Sequence, residues 1–293
     1  MESSKTVLIT GASRGIGLLT AKELIDRGHT VFAGMRDLDT RNRAAAEALA
    51  AHAASRPGTV LPVELDVTDD ASVLGAVARI EAQRPIDVLV NNAGVMPVGL
   101  TEGFTLEQAR DLFDVNVYGI MRMNRAVLPA MRQRKTGLVI SLSSAAGRFG
   151  MPYFGLYCSS KWAMEAYCEA LHYELEPFGI ESVLVEPSGH GTELVATAPA
   201  PADAETVGQY GDLSRGRDRL LGMFQGMFEQ GEKLTDANNV AVAVASLVEM
   251  AAPRPIRTQV GHDMGVSAVN EAVAPIQAQL MTMLKPVYTG AAT

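Results

Sequence analysis

Tyr157 and Lys161 stand four residues apart, so on a helix that starts near Tyr157 their side chains share one face. A phenol with a reference pKa of about 10 is a poor base near neutrality unless a cation favours its phenolate. Lys161 is placed to be that cation. Upstream, in the run Ile140-Ser141-Leu142-Ser143-Ser144, Ser144 closes a strand candidate and could donate a hydrogen bond to the same substrate oxygen, as oxyanion-type catalysis requires. The chemistry implied is proton transfer at a carbonyl or hydroxyl oxygen. A Tyr/Lys pair beside a Ser-rich turn, met alone, equally fits an ordinary helix surface.

A second group of residues is suited to phosphate. The segment Thr10-Gly11-Ala12-Ser13-Arg14-Gly15-Ile16-Gly17 runs from an apolar strand into a helical pattern. Gly11 permits the tight turn, Gly15 lets the backbone approach a pyrophosphate, and Gly17 lets the helix pack on the sheet. The helix N-terminus adds unpaired N–H groups and the positive end of its dipole. Farther on, Asn91-Asn92-Ala93-Gly94 ends another strand candidate, and ligands of open α/β sheets bind beyond the carboxyl ends of strands. Read in isolation, it is also a plain Asx turn.

The elements that must position these groups alternate along the chain. Short β-branched runs at Thr6 to Thr10, Thr30 to Met35, Val60 to Leu65, Ile86 to Asn91, Leu138 to Leu142, Ile180 to Glu186 and Ile256 to Val260 are separated by segments of helical period. That pattern predicts an α/β fold with one doubly wound parallel sheet of seven strands and helices on both faces. Residues 1–261 read as one catalytic domain and 262–293 as a tail of the same domain, with weak helical period around Ile276 to Leu284. The long connection 189–234, rich in Ala, Pro and Gly, reads as a lid with a short helix around Met223, Phe224, Met227 and Phe228.

Composition narrows the function class. The formal charge of −8 and the absence of Lys/Arg tracts argue against a nucleic-acid partner. A 47% hydrophobic chain with 20% charged residues folds around a full core. The sequence shows no membrane span and no secretory signal pattern, which predicts a cytoplasmic protein. Cys158 and Cys168, about 15 Å apart on one helix, are too distant for a disulfide. His29, His52, His172 and His262 are scattered without metal-ligand spacing, so no metal is expected.

These motifs, with Asn116-Val117-Tyr118-Gly119 and Pro187 after the sixth strand, together resemble the short-chain dehydrogenases/reductases over roughly residues 5 to 261. The resemblance implies a Rossmann-type fold holding NAD or NADP, with a catalytic tetrad of Asn116, Ser144, Tyr157 and Lys161. Tyr157 would be the general acid/base and Ser144 would polarise the carbonyl. Lys161 would bind the nicotinamide ribose and lower the phenol pKa, and Asn116 would hold a water in a proton relay. The family's serine usually stands 13 residues before its tyrosine, which selects Ser144 and leaves Ser143 as the fallback. Cofactor contacts fall to Gly11, Ser13, Arg14, Gly15, Ile16, Gly17, Arg36, Asp66, Val67, Asn92, Ala93, Gly94, Tyr157, Lys161, Pro187, Ser188 and Thr192. Ser188 stands where the family usually has glycine. His190 is expected to be a solvated loop residue rather than a substrate ligand.

Arg14 and Arg36, with no Asp or Glu ending the second strand, favour NADP(H) over NAD(H). Asp37 keeps NAD(H) open, because a one-residue shift of the strand end would place a carboxylate there. Val95, Met96, Gly150, Met151, Pro152, Phe154 and the lid would line a site for a lipophilic carbonyl or alcohol. Short matches at Met35-Arg36-Asp37-Leu38 and Arg257-Thr258-Gln259-Val260-Gly261 look like the hydroxysteroid and retinol dehydrogenase branch. A homodimer or homotetramer built on the helices of Ala126 and Trp162 is implied by the resemblance. Two other readings stay open: a non-catalytic NADP-binding regulator, and a sugar-nucleotide epimerase or dehydratase of the related longer-chain branch.

Overall fold

The computed structural model describes residues 4–289. In chain order the elements are β1 (Thr6–Thr10), α1 (Gly15–Asp26), β2 (Thr30–Met35), α2 (Arg43–Ala53), β3 (Thr59–Glu64), α3 (Asp70–Glu81) and β4 (Val88–Asn91). There follow α4 (Leu106–Phe113), α5 (Gly119–Arg134), β5 (Gly137–Leu142), α6 (Gly155–Leu175) and β6 (Ile180–Pro187). The chain then forms α7 (Glu193–Ala196), α8 (Ala204–Gln209), α9 (Gly216–Glu229), α10 (Asn238–Glu249), β7 (Arg257–Val260) and α11 (Val266–Thr289).

The seven strands make one parallel sheet in the order β3-β2-β1-β4-β5-β6-β7. The inner strands read as unbroken apolar runs because both of their faces are covered. Val7 and Ile9 point into the layer of Ala21, Leu24 and Ile25 of α1 and Val244 of α10. Leu8, between them, points into the layer of Val77 and Ile80 of α3 and Met123 and Val127 of α5. The outermost strand β3 is half-exposed and carries Pro62, and the opposite edge, β7, is four residues long. The strand order reverses between β1 and β4, which opens a crevice at their carboxyl ends.

Strand boundaries match the sequence reading to within two residues, and two helices exceed it. The lid helix α9 spans 14 residues, and the tail forms the 24-residue α11. Pro275 and Pro286 interrupt the α11 pattern. Its apolar side chains also lie on an exposed face, where Ile276, Met283 and Val287 are open to solvent. No described helix is long and apolar enough to cross a membrane.

Candidate active site

The turn after β1 is built by its glycines and by Asn92. Gly11 and Gly15 take left-handed conformations, with φ of 68° and 54°, which glycine adopts without steric penalty. The Asn92 side chain donates to the Thr10 carbonyl at 2.9 Å and to the Gly11 carbonyl at 3.1 Å. Its backbone N–H donates to Thr10 Oγ1 at 3.0 Å, so the ends of β1 and β4 are laced together. A Cβ on Gly17 would lie 2.4 Å from both the Gly11 carbonyl oxygen and Asn92 Nδ2. Gly17 is therefore required by this lacing more than by packing on the sheet at large.

The first turn of α1 has no acidic residue, and its N-cap, Arg14, supplies no side-chain acceptor. Its N–H groups are left for an anion, and the dipole favours one. A cavity of about 520 Å³ runs from this helix end, past Asn92 and Gly94, to Tyr157. The glycine turn, the uncapped helix and the cavity fit a dinucleotide.

Arg36 follows β2 and lies at the cavity wall, 3.6 Å from Asp66. Burial raises the Asp66 pKa, but hydrogen bonds from Thr68 and the Arg36 charge outweigh it and hold the carboxyl below its ordinary range. Glu64 accepts from the N–H groups of Asp37 and Leu38, each at 2.9 Å, fixing this turn. Asp37, with φ of 52°, pairs with Arg41 at 2.8 Å and does not line the cavity.

At the other end of the cavity, α6 begins two residues before Tyr157 and carries Tyr157 and Lys161 on one face, both buried. Lys161 Nζ sits 5.8 Å from the centre of the Tyr157 ring and donates to the Leu142 carbonyl at 2.7 Å. Burial lowers the Lys161 pKa to about 8, against the attraction of Glu165. Burial pushes the Tyr157 phenol up to about 12, and its hydrogen bond with Ser144 opposes that rise. In this state burial outweighs any lowering of the phenol by Lys161.

β5 ends at Leu142, so Ser144 lies beyond the strand and caps the short turn Ala145–Gly147, accepting from the Ala146 N–H at 3.1 Å. Ser143 also reaches the cavity wall, which strand alternation does not anticipate; its hydroxyl is buried without a partner.

Residues 5–202, which carry the glycine turn, the Asn92 lacing and the Ser144, Tyr157 and Lys161 cluster, match the family model described as short chain dehydrogenase. The chain belongs to the short-chain dehydrogenase family. Among relatives, it is 34% identical over 256 residues to a 3-ketodihydrosphingosine reductase of Bacteroides thetaiotaomicron, covering 87% of each chain. It is 36% identical over 267 residues to human retinol dehydrogenase 8, covering 87% of this chain and 81% of that one. A crystal structure of a short-chain dehydrogenase from Streptomyces avermitilis superposes with a TM-score of 0.71 at 32% identity, covering 99% of this chain and all of the other.

In this short-chain dehydrogenase every residue expected to contact the cofactor lines the same cavity. Asn116 does not. It lies buried in a π-helical turn, Asp114–Tyr118, between α4 and α5. Its amide donates to the Val95 carbonyl at 2.9 Å and to Ser160 Oγ at 3.1 Å, and accepts from the Val95 N–H at 2.9 Å. Gly150 and Pro152 also miss the cavity, whereas Val95, Met96, Met151 and Phe154 line it. Gly150 and Pro152 precede α6, and a Cβ built on Gly150 would meet nothing within 4 Å among the described residues.

His190 is buried and not solvated; its Nδ1 is 2.9 Å from the Ser188 carbonyl, and burial lowers its pKa. Ser188 does not adopt a left-handed conformation, so it replaces glycine without strain. Sequence reading missed Arg41, Asn42 and Glu193 in the cavity wall. Arg41 had a signal, since it adds a third cation near Arg36. The lid closes the substrate end through a ladder of rings: Phe154 lies 6.3 Å from Tyr157 and 6.0 Å from Phe224, which lies 6.1 Å from Phe228.

Proposed function

We propose that this oxidoreductase interconverts a lipophilic ketone and a secondary alcohol with NADP(H). The observation that carries the proposal is the convergence of Ser144, Tyr157 and Lys161 at one end of a cavity whose other end is an uncapped, glycine-lined helix N-terminus. The bound nicotinamide would supply or accept the hydride. Ser144 and Tyr157 would hold the substrate oxygen, and Tyr157 Oη would give up its proton as a ketone is reduced, or take one as an alcohol is oxidised. The Lys161 ammonium, beside the ring, would stabilise the phenolate that remains and hold the ribose. Asn116 would hold a relay water behind Lys161, with the free lone pair of its amide oxygen.

Arg14, Arg36 and Arg41 in the wall support NADP(H), because guanidinium groups pair with phosphate oxygens. Asp37, turned to Arg41 and out of the cavity, removes the main support for NAD(H). The aromatic ladder and Met96 and Met151 favour an apolar substrate. The relatives named for a long-chain sphingoid ketone and for retinol are consistent with that class. We assign the protein to the cytoplasm and expect a homo-oligomer. The test is NADPH oxidation against steroidal, retinoid, long-chain aliphatic and short aliphatic ketones. Turnover of the bulky ketones that vanishes in Tyr157→Phe supports the reading; no NADPH consumption with any of them overturns it.

A further inference from the structure

Along α6 from Lys161, and outside the cavity lining, lies an array of buried and half-buried charges that the proposed reaction does not use. Glu165 follows Lys161 by one turn of α6 and is buried with it. Its Oε2 accepts from Arg257 Nε at 2.9 Å, while its Oε1 is buried with no hydrogen-bond partner among the described residues. Arg257, on β7, also donates to Glu169 at 2.7 Å and lies 3.4 Å from Glu186 on β6. Glu186 is fully buried, accepts from Asn270 of α11 at 2.6 Å, and has Arg148 at 3.9 Å. Cys168, Tyr173 and Tyr288 also face this region; the thiol and phenols are neutral near pH 7, and burial raises the pKa of Cys168 and Tyr173 further.

The ionised carboxylates of this array outnumber its guanidinium groups. Glu165, Glu169 and Glu186 face two guanidinium groups, those of Arg148 and Arg257, which leaves one negative charge. One proton neutralises the array, either on Glu186 or on Lys161. Lys161 has no carboxylate within ion-pair distance among the described residues, so its charge answers to the array through Glu165, the nearest carboxylate along its helix. In a low-dielectric interior an unpaired ammonium is costly, and a buried opposite charge one helical turn away offsets much of that cost.

We propose that Glu165, clamped by Arg257, is the counter-ion that keeps the buried Lys161 ammonium charged, and is thereby a positioning residue for proton transfer at Tyr157. The second half of this statement rests on the role proposed for Lys161; the first half does not. The Oε1 of Glu165 makes no hydrogen bond among the described residues, and α11 joins the array through Asn270, tying the tail helix to the electrostatics of the site.

The experiment titrates Lys161 directly by NMR in protein labelled at the lysine side-chain carbons, with Lys161→Arg identifying its signal among six lysines. Glu165→Gln is expected to lower the pH at which Lys161 titrates by about one unit or more, and Glu165→Asp to restore most of the shift. An unmoved titration in Glu165→Gln overturns the proposal. Should that variant not fold, Glu186→Gln removes a negative charge from the same array and carries the same test, with a smaller downward shift expected. The alkaline limb of kcat/KM for ketone reduction should move with the NMR titration. A shift in the NMR titration without one in the rate profile leaves Glu165 as the counter-ion and overturns the role given to Lys161.

Discussion

Gly17→Ala is the sharpest perturbation of the nucleotide turn. The new methyl would sit 2.4 Å from the Gly11 carbonyl oxygen, 3.0 Å from its carbon and 2.4 Å from Asn92 Nδ2. Backbone cannot yield cheaply, so the Asn92 amide must swing away and give up its bonds to Thr10 and Gly11, at 2.9 and 3.1 Å. Overpacking costs about 1 to 3 kcal/mol and each lost hydrogen bond about 1 kcal/mol, for a total of about 3 to 5 kcal/mol. In a domain of this size that lowers Tm by roughly 10 °C. The turn also loses the shape that presents its N–H groups to phosphate, so Kd for NADPH should weaken by about 10- to 100-fold or more. Gly150→Ala, with nothing within 4 Å of the added carbon, is the control and should move Tm by less than about 2 °C. Differential scanning fluorimetry and calorimetric titration read both quantities. A Gly17→Ala protein with the wild-type Tm and NADPH affinity, or an equal fall in Gly150→Ala, would refute the idea that the Asn92 lacing defines this turn.

Tyr157→Phe should lower kcat about 10²- to 10⁴-fold while NADPH still binds; turnover near wild type would sink the assigned acid/base. Arg36→Ala should cut the kcat/KM preference for NADPH over NADH by roughly 10-fold or more, and a wild type that prefers NADH contradicts the cofactor assignment. Arg217 donates to the Val98 and Ala198 carbonyls, each at 2.9 Å, and so pins α9 to the body; Arg217→Ala should speed hydrogen exchange across α9, and unchanged protection would show the lid is held elsewhere. His29 accepts from the Lys5 N–H through Nδ1 at 3.1 Å, and burial lowers its pKa. The unfolded chain therefore takes up a proton there first, and this contribution is complete above about pH 6.5 and lost as pH falls through that value toward the folded pKa. Tm should accordingly drop between pH 7 and 5, less so in His29→Gln, and parallel curves for the two proteins would exclude His29.

The parts of the site written as contiguous segments were legible in the sequence. Thr10 to Gly17 and Asn91 to Gly94 lie where a strand passes into a turn or helix, and Tyr157 and Lys161 are one turn apart on α6, so spacing and element type fix their direction. The expected cofactor residues all reach one cavity for that reason. What spacing could not convey was which side of a turn faces inward. Ser143 and Ser144 both reach the wall because β5 stops at Leu142. Asn116 is drawn into the protein interior, off the cavity wall, by a π-helical turn, which no residue pattern announces. Arg41 enters from five residues beyond Arg36, brought round by a loop that Glu64 fixes from the neighbouring strand. The Glu165–Arg257 pair joins residues 92 positions apart and becomes visible only once β7 lies beside β6.

The two margins of the sheet bear on how the protein avoids uncontrolled strand-by-strand addition at its edges. An open sheet ends in strands with unpaired main-chain groups, which can template addition of a further strand from another molecule. β3 meets this with Pro62, paired in register with Ala33 of β2. Proline is tolerated on an edge with its nitrogen turned outward, so this margin lacks a donor in mid-strand. β7 meets it by brevity, offering four residues, with Arg257 held by Glu165 and Glu169. Replacing Pro62 with valine would complete the row of donors on an already β-branched strand, and the cost would appear as aggregation during refolding rather than as any change at the cavity.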